Sequence, residues 1–141
     1  MQENPLTGGD LLAVIEVELR NLLVEKDTKA EERIYPINLP MNPEYPAITY
    51  QQISNQGHHD IPVDYPRIQV TSWSPSLLEA KQLAEEVQAE LQRFKGVLNG
   101  YRVKQIVKMD SPGDLYDSDA GEAGLYYVPV DYRIIYERVS D

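Results

Sequence analysis

The chain has 141 residues, no cysteine, and 23 acidic against 13 basic residues, which gives a formal net charge of −10. This length fits one domain that spans residues 1–141. Without a thiol, the chain has no disulfide framework, no thiolate zinc site and no cysteine nucleophile. The excess of acids argues against proteins that bind the nucleic-acid backbone or an anionic membrane surface, because lysine and arginine make both kinds of contact.

Two further classes of segment are missing from the sequence. No apolar run approaches the roughly 20 residues that span a bilayer. The first residues, from Met1 to Pro5, lack the basic start and the apolar centre of a secretory signal. We therefore expect a soluble protein that is compatible with the cytoplasm and does not bind membranes.

The aromatic residues are ten tyrosines, one phenylalanine and one tryptophan. Tyrosine suits half-buried strand positions and interfaces, because its ring packs while its hydroxyl finds water or a partner. We interpret this bias as strand-rich surface that faces a partner, with chance composition as the alternative.

The first predicted helix runs from about residue 9 to residue 26. Its apolar residues recur every three or four positions, which is typical of one buried stripe. Thr7 and Asp10 resemble a capping box at its start, with Asp in the place of Glu. The stripe comprises Leu11, Leu12, Ile15, Leu19, Leu22 and Leu23.

Six of the ten prolines lie between Pro36 and Pro66, but this stretch is not a linker because it is rich in strand-forming residues. We predict short extended structure at 33–35, a strand at 47–54 and a strand at 67–73 that pairs with it. The proline-marked stretch 55–66 between the last two is predicted to be a loop.

The second helix has the clearest start in the chain. Ser76 and Glu79 have capping-box spacing, and Pro75 stands where its missing N–H costs nothing. An apolar stripe follows from Leu77 to Phe94, and Gly96 or Gly100 is predicted to end the helix.

Two strands close the sequence, at 101–109 and 125–138. In the second, Tyr126 and every alternate residue up to Tyr136 form an apolar face, and Asp131 and Arg133 lie on the other. Pro129 lacks an N–H, which predicts a sheet edge or a bulge at that point. Together the elements predict an α+β domain, with a mainly antiparallel sheet of about four to five strands packed against two amphipathic helices.

The stretch 110–124 is a candidate cation site, because it contains five acids and no base. The acids are Asp110, Asp114, Asp117, Asp119 and Glu122. The order of ligands in an EF-hand is absent, however, so we favour a solvated loop that contacts a partner over a Ca²⁺ site.

The other groups of candidate residues predict neither a metal site nor a catalytic site. His58 and His59 are adjacent on an extended chain, so their imidazoles point in opposite directions and are poorly placed to share a metal. There is no Gly-x-Ser-x-Gly motif and no phosphate-binding glycine loop. We expect no enzyme, no cofactor and no metal site.

The order of several segments resembles the tail-completion or tail-terminator proteins of long-tailed bacteriophages, which include tail-to-head joining proteins. The resemblance covers about residues 11–137. Its segments are Arg33-Ile34-Tyr35-Pro36, Leu39-Pro40, Tyr45-Pro46-Ala47-Ile48-Thr49-Tyr50-Gln51, Arg67-Ile68-Gln69-Val70-Thr71-Ser72-Trp73-Ser74, Glu79-Ala80, Leu83-Ala84 and Val130-Asp131-Tyr132-Arg133-Ile134-Ile135-Tyr136-Glu137.

The resemblance implies a virion protein that forms a ring, commonly a hexamer, at the head-proximal end of the tail. Such a ring caps the tube of major tail protein and joins it to the head connector or stopper, and it assembles in the host cytoplasm. The resemblance leaves two alternatives open for the ring: it forms in solution, or it forms only when the subunits assemble on the tube. The implied path of DNA is through the lumen, without specific binding; an acidic lumen would repel phosphate.

The loops 55–66 and 110–124 are the predicted contact segments. The predicted contact residues are His58, His59, Asp60, Asp114, Tyr116, Asp117, Asp119 and Glu122. Two alternatives remain open: a head-completion or adaptor subunit of the connector, and a cytosolic α+β domain that binds a ligand or regulates, with a pocket between helix 77–94 and the sheet.

If the acidic stretch is a contact loop, adding Ca²⁺ should leave thermal stability unchanged, because a ligand stabilises only when it binds the native state. A thermal unfolding series at increasing Ca²⁺ measures this. A rise of several degrees at sub-millimolar Ca²⁺ would contradict the prediction.

Overall fold

The structure, a computed structural model, describes residues 14–57, 63–111, 113–118 and 124–139. Two helices and seven strands follow one another within these residues. Their order is α1 (Ile15–Glu25), β1 (Ile34–Pro36), β2 (Ala47–Gly57), β3 (Val63–Ser74), α2 (Leu77–Arg93), β4 (Gly96–Leu98), β5 (Tyr101–Lys108), β6 (Leu115–Asp117) and β7 (Leu125–Arg138).

The strands form one sheet in the order β1-β2-β3-β7-β5-β4, and β6 pairs with β7 beside β5. This confirms the α+β class. The prediction of four to five strands in a mainly antiparallel sheet was wrong, because the sheet has seven strands and is mixed. It is mixed because β1 runs parallel to β2, and the crossover 37–46 makes that direction possible.

The hairpin of β2 and β3 is longer than predicted. Most of the stretch 55–66 was expected to be a loop, yet β2 continues to Gly57 and β3 begins at Val63. Pro66 pairs with Asn55 of β2, while the pairing of β3 with β7 is interrupted at Tyr65 and Pro66. A proline is tolerated there because the ladder on one side does not need its N–H.

Helix α2 begins as its sequence predicts: the Ser76 hydroxyl accepts a hydrogen bond from the Glu79 backbone N–H. It ends at Arg93, however, and not at a glycine. The chain then forms β4, which the sequence reading missed, and turns through Asn99 and Gly100, both of which have positive φ. Asn-Gly between apolar residues is typical of a tight hairpin turn, so this signal was present in the sequence.

For α1, the described part confirms the apolar stripe, since Ile15, Leu19, Leu22 and Leu23 are buried. The predicted capping residues Thr7 and Asp10 lie outside the described residues.

Pro129 was predicted to mark a sheet edge or a bulge; β7 is a central strand, but Pro129 lies at a local edge within it. The backbone groups of Asp131 point toward β5, since its carbonyl accepts from Met109 N–H and its N–H donates to Ser111 Oγ. Pro129 stands two residues earlier and has the same orientation. It therefore faces the gap between β6, which pairs at 125–127, and β5, which pairs from 132 onward. No ladder hydrogen bond is lost because this stretch of β7 is a local edge.

The sheet curls around the helices. Five spacings of about 4.8 Å separate β1 from β4 in a flat sheet. Nevertheless two neighbouring side chains of α1 reach both ends: Arg20 Nε donates to the Ile34 carbonyl on β1, and Glu18 accepts from Asn99 beside β4. The buried core lies between this concave side and the two helices.

Four tyrosines belong to that core: Tyr50, Tyr101, Tyr132 and Tyr136. For these four, the interpretation of tyrosine as partner-facing surface was wrong. Their rings fill space between the sheet and the helices, and the rings of Tyr101 and Tyr136 meet edge to face at 4.9 Å. The strand alternation identified their face but not whether a helix covers it.

The hydroxyl of Tyr132 is buried and has no hydrogen-bond partner among the described residues, whereas that of Tyr101 accepts from Arg138 Nη2 at 2.9 Å. An unpaired buried hydroxyl is unfavourable. Tyr132→Phe should therefore raise the free energy of unfolding by about 1 kcal/mol, and Tyr101→Phe should lower it by a similar amount. Urea unfolding at neutral pH measures both variants. Equal destabilisation by the two would contradict the assignment.

Candidate partner-contact surface

The predicted contact residues fall into two groups. His58, His59 and Asp60, together with Asp119 and Glu122, lie outside the described residues. Asp114, Tyr116 and Asp117 are described and lie close together, in β6 or beside it.

The described part of the acidic stretch 110–124 is not all loop, because it contains the short strand β6. Asp117 pairs with Leu125 of β7, and the ring of Tyr116 lies 4.7 Å from that of Tyr126. Gly124 has a φ of +77°, and a side chain there would meet the Tyr116 ring. Glycine therefore permits both the turn into β7 and the position of Tyr116, whose side chain is half exposed.

The Asp114 carboxylate forms an ion pair with Lys81 of α2 at 2.9 Å. Both side chains are well exposed, so solvent screens the pair and its contribution to stability is small. The pair holds the segment before β6 near α2 but leaves the carboxylate accessible to a partner.

The described parts of the two predicted contact segments lie at opposite ends of the sheet. The β2–β3 hairpin ends where Val63 pairs with Glu137, whereas Leu115 of β6 pairs with Tyr127. Ten residues of β7 separate these points, which is about 33 Å along a strand. The segments are therefore placed for two different partners, or for two ends of an assembly.

A third feature, which the sequence did not predict, lies on the side of the sheet that α1 and α2 do not cover. We call this side of the sheet the open face. Thr49, Thr71 and Pro129 are cross-strand neighbours on β2, β3 and β7 and form the floor of a groove of about 210 Å³. One wall is the stacked pair of Trp73 and Tyr127, with ring centroids 4.6 Å apart.

Two exposed apolar side chains, Ile37 and Leu115, also line this groove. The indole N–H of Trp73 donates to Thr49 Oγ1 at 2.9 Å, which fixes the orientation of the ring. Tryptophan and tyrosine are enriched among the residues that dominate binding energy at interfaces. The sequence showed that Trp73 and Tyr127 alternate with core residues along their strands. It did not show that the two rings stack across the strands.

Beside the groove lies a polar cluster around Asp131, which is only 5% exposed. Its carboxylate accepts from Arg67 Nε at 2.7 Å and from Gln69 Nε2 at 2.9 Å. Arg67 Nη2 also donates to the Asp110 carbonyl at 3.4 Å. The cluster connects β3, β7 and the segment that leads to β6.

A cleft of about 350 Å³ lies between α2 and the sheet, where a ligand-binding domain was predicted to have its pocket. Its polar lining mixes both signs of charge, with Lys81, Glu85, Lys108 and Asp114. Its floor is the stretch of β7 around Pro129, at the gap between β5 and β6.

Two further features are absent from the described residues. They contain no group of three or more histidine, cysteine or acidic side chains arranged to hold a metal ion. The same part of the chain has no helix that is both long enough and apolar enough to cross a membrane.

Comparison with known proteins identifies a family and solved structures of similar fold. Residues 17–137 match the family of tail completion protein gp17. One solved chain, described as "Virion of native gene transfer agent (GTA) particle", has a similar fold with a TM-score of 0.55 and 13% identity, over 96% of this chain and 99% of that one. No curated protein matches the sequence.

The Asp131 cluster should stabilise the protein far more than the Asp114 pair does. Asp131→Ala leaves Arg67 and Gln69 without their acceptor, so the free energy of unfolding should fall by about 2–4 kcal/mol. Asp114→Ala removes an exposed pair and should cost less than about 0.5 kcal/mol. Chemical denaturation of the two variants measures the difference. Similar losses in both would contradict this description of the open face.

Proposed function

The chain belongs to the tail completion protein gp17 family, and from that premise we propose that it is a tail terminator that joins the tail to the head. Members of this family are structural proteins of a virion, and the chain is accordingly a structural tail protein. In the proposed role it forms a ring of six subunits that caps the tube of major tail protein and receives the head connector or stopper.

The observation that best supports the proposal is the separation of the two contact segments. A terminator must present one surface to the tube and another to the connector. The end of the β2–β3 hairpin and the β6 segment lie about 33 Å apart along β7, at Glu137 and Tyr127. His58, His59 and Asp60 then belong to one contact, and Asp114, Tyr116, Asp117, Asp119 and Glu122 to the other.

The ring is the second component of the proposal. A solved chain of similar fold comes from a virion particle, which supports assembly of this chain with other proteins of a particle. The ring is complete only on the tube, at the head-proximal end of the tail, and the subunits gather there in the host cytoplasm.

The acidity of the chain suits the passage of DNA through the ring. A negatively charged lumen repels phosphate, so DNA slides without being held. Five acids within residues 110–122 concentrate this charge in one segment. No specific binding of nucleic acid belongs to the proposed role.

Two other functions remain alternatives. A head-completion or adaptor subunit would use the same contact segments on the connector side. A ligand-binding or regulatory domain of the cytosol would use the cleft of about 350 Å³ between α2 and the sheet. Binding of a small molecule by the purified protein would favour the last one.

The proposed function is tested by mixing the purified protein with polymerised tail tubes and imaging them by negative-stain electron microscopy. We expect ring-shaped density at one end of each tube, and tubes that no longer lengthen when tail protein is added. Tubes that continue to grow at both ends, without added density, would contradict the proposal.

The contact segment is tested in the same assay with Asp114→Asn combined with Asp117→Asn. We expect this variant to fold normally and to join tubes to connectors much less often than the wild type. The matched control is Glu25→Gln combined with Glu32→Gln, which removes two exposed acids near α1. Equal joining by both variants would exclude the β6 segment as a contact.

A further inference from the structure

We propose that the groove on the open face binds helix α2 of a second copy of this chain, with Leu78 inserted between Trp73 and Ile37. This inference rests on the proposed ring and names the contact between its subunits. A contact between two different surfaces of one chain is head-to-tail, which is the kind that closes into rings.

The open face has the composition of an interface rather than of a solvated sheet. Its centre is apolar, since the Trp73–Tyr127 stack, Pro129 and the exposed Ile37 and Leu115 all line the groove. The groove of about 210 Å³ is large enough to hold several waters. Their release by an apolar side chain favours association.

The charges of the two surfaces are complementary. Among the described strand residues with described side chains, the open face carries four bases and three acids, in a chain whose net charge is −10. These residues are Arg67, Arg102, Lys104, Arg133, Asp117, Asp131 and Glu137. Helices α1 and α2 together carry seven acids and three bases, so the helical surface is attracted to the open face.

Leu78 is the most exposed apolar residue of the two helices, at 68%. Glu85 stands two turns later on the same side of α2 and is exposed as well. The two residues are separated by about 10.5 Å along the helix axis.

The open face has a matching spacing. Thr71 in the groove and Arg67 are four residues apart on β3, which is about 13 Å. Arg67 is a cross-strand neighbour of Arg133, and the Arg67 side chain is partly exposed. A Leu78 side chain in the groove therefore brings the Glu85 carboxylate near two basic side chains of the open face.

The absence of cysteine from the chain allows a direct test by disulfide trapping. Leu78→Cys is combined with Gln51→Cys, a half-buried groove position on β2. The matched control keeps Gln51→Cys and adds Gln92→Cys, an exposed position near the other end of α2. A disulfide forms only when the two Cα atoms approach within about 7 Å.

Both variants are oxidised alone at high concentration and in the presence of tail tubes. We expect the Leu78 variant to shift from 16.1 kDa to a ladder of its multiples that reducing agent abolishes, and the Gln92 variant to stay at 16.1 kDa. No ladder from the Leu78 variant under either condition, or equal ladders from both variants, would overturn the proposed contact. A cross-link to the tail tube protein in place of the ladder would overturn it too.

The outcomes also separate this inference from the proposed function. If the wild type caps tubes but the Leu78 variant gives no ladder, the ring contact is wrong and the terminator role stands. If the ladder forms but the wild type ignores tubes, the self-contact stands and the terminator role fails.

Discussion

The pairing of β7 on both of its sides is the constraint on which the rest of the structure depends. Along one side it pairs with β3, and along the other with β5 and β6 in turn. Because side chains alternate along a strand, this one element supplies core residues such as Tyr132 and open-face residues such as Asp131. A shift of register by one residue would exchange the two sets.

The same pairing explains how the two surfaces of the protein differ. On the concave side the helices cover the sheet, and their outer surface carries the excess of acid. On the other side, the sheet is left with a stacked aromatic pair, a groove and a buried carboxylate held by Arg67 and Gln69. A subunit with unlike faces and contact segments at both ends suits a ring between two partners, which is the arrangement that we propose.

Local signals predicted much of this fold, and their failures have physical causes. The Ser76 cap and the stripe of α2 depend on residues within two turns of one another, and both are confirmed. Pro129 shows the limit. Its missing N–H correctly predicted a local absence of pairing, but it did not reveal that β7 is central, with β3 on one side and β5 and β6 on the other. At β6, the acidic composition suggested solvent, whereas pairing with β7 and contact between Tyr116 and Tyr126 ordered the segment.

By itself, the sequence determined the class of fold, the start of α2, the two faces of β7 and the resemblance to a tail-completion protein, because periodicity, caps and segment order are read along the chain. Only the tertiary structure decided which face the helices cover, and hence that Tyr50 and Tyr101 are core. It also brought Thr49, Thr71 and Pro129 into one row, and Asp131 between Arg67 and Gln69. These neighbours lie on strands far apart in sequence, and which strands pair is fixed by the packing of the whole sheet, not by any one segment.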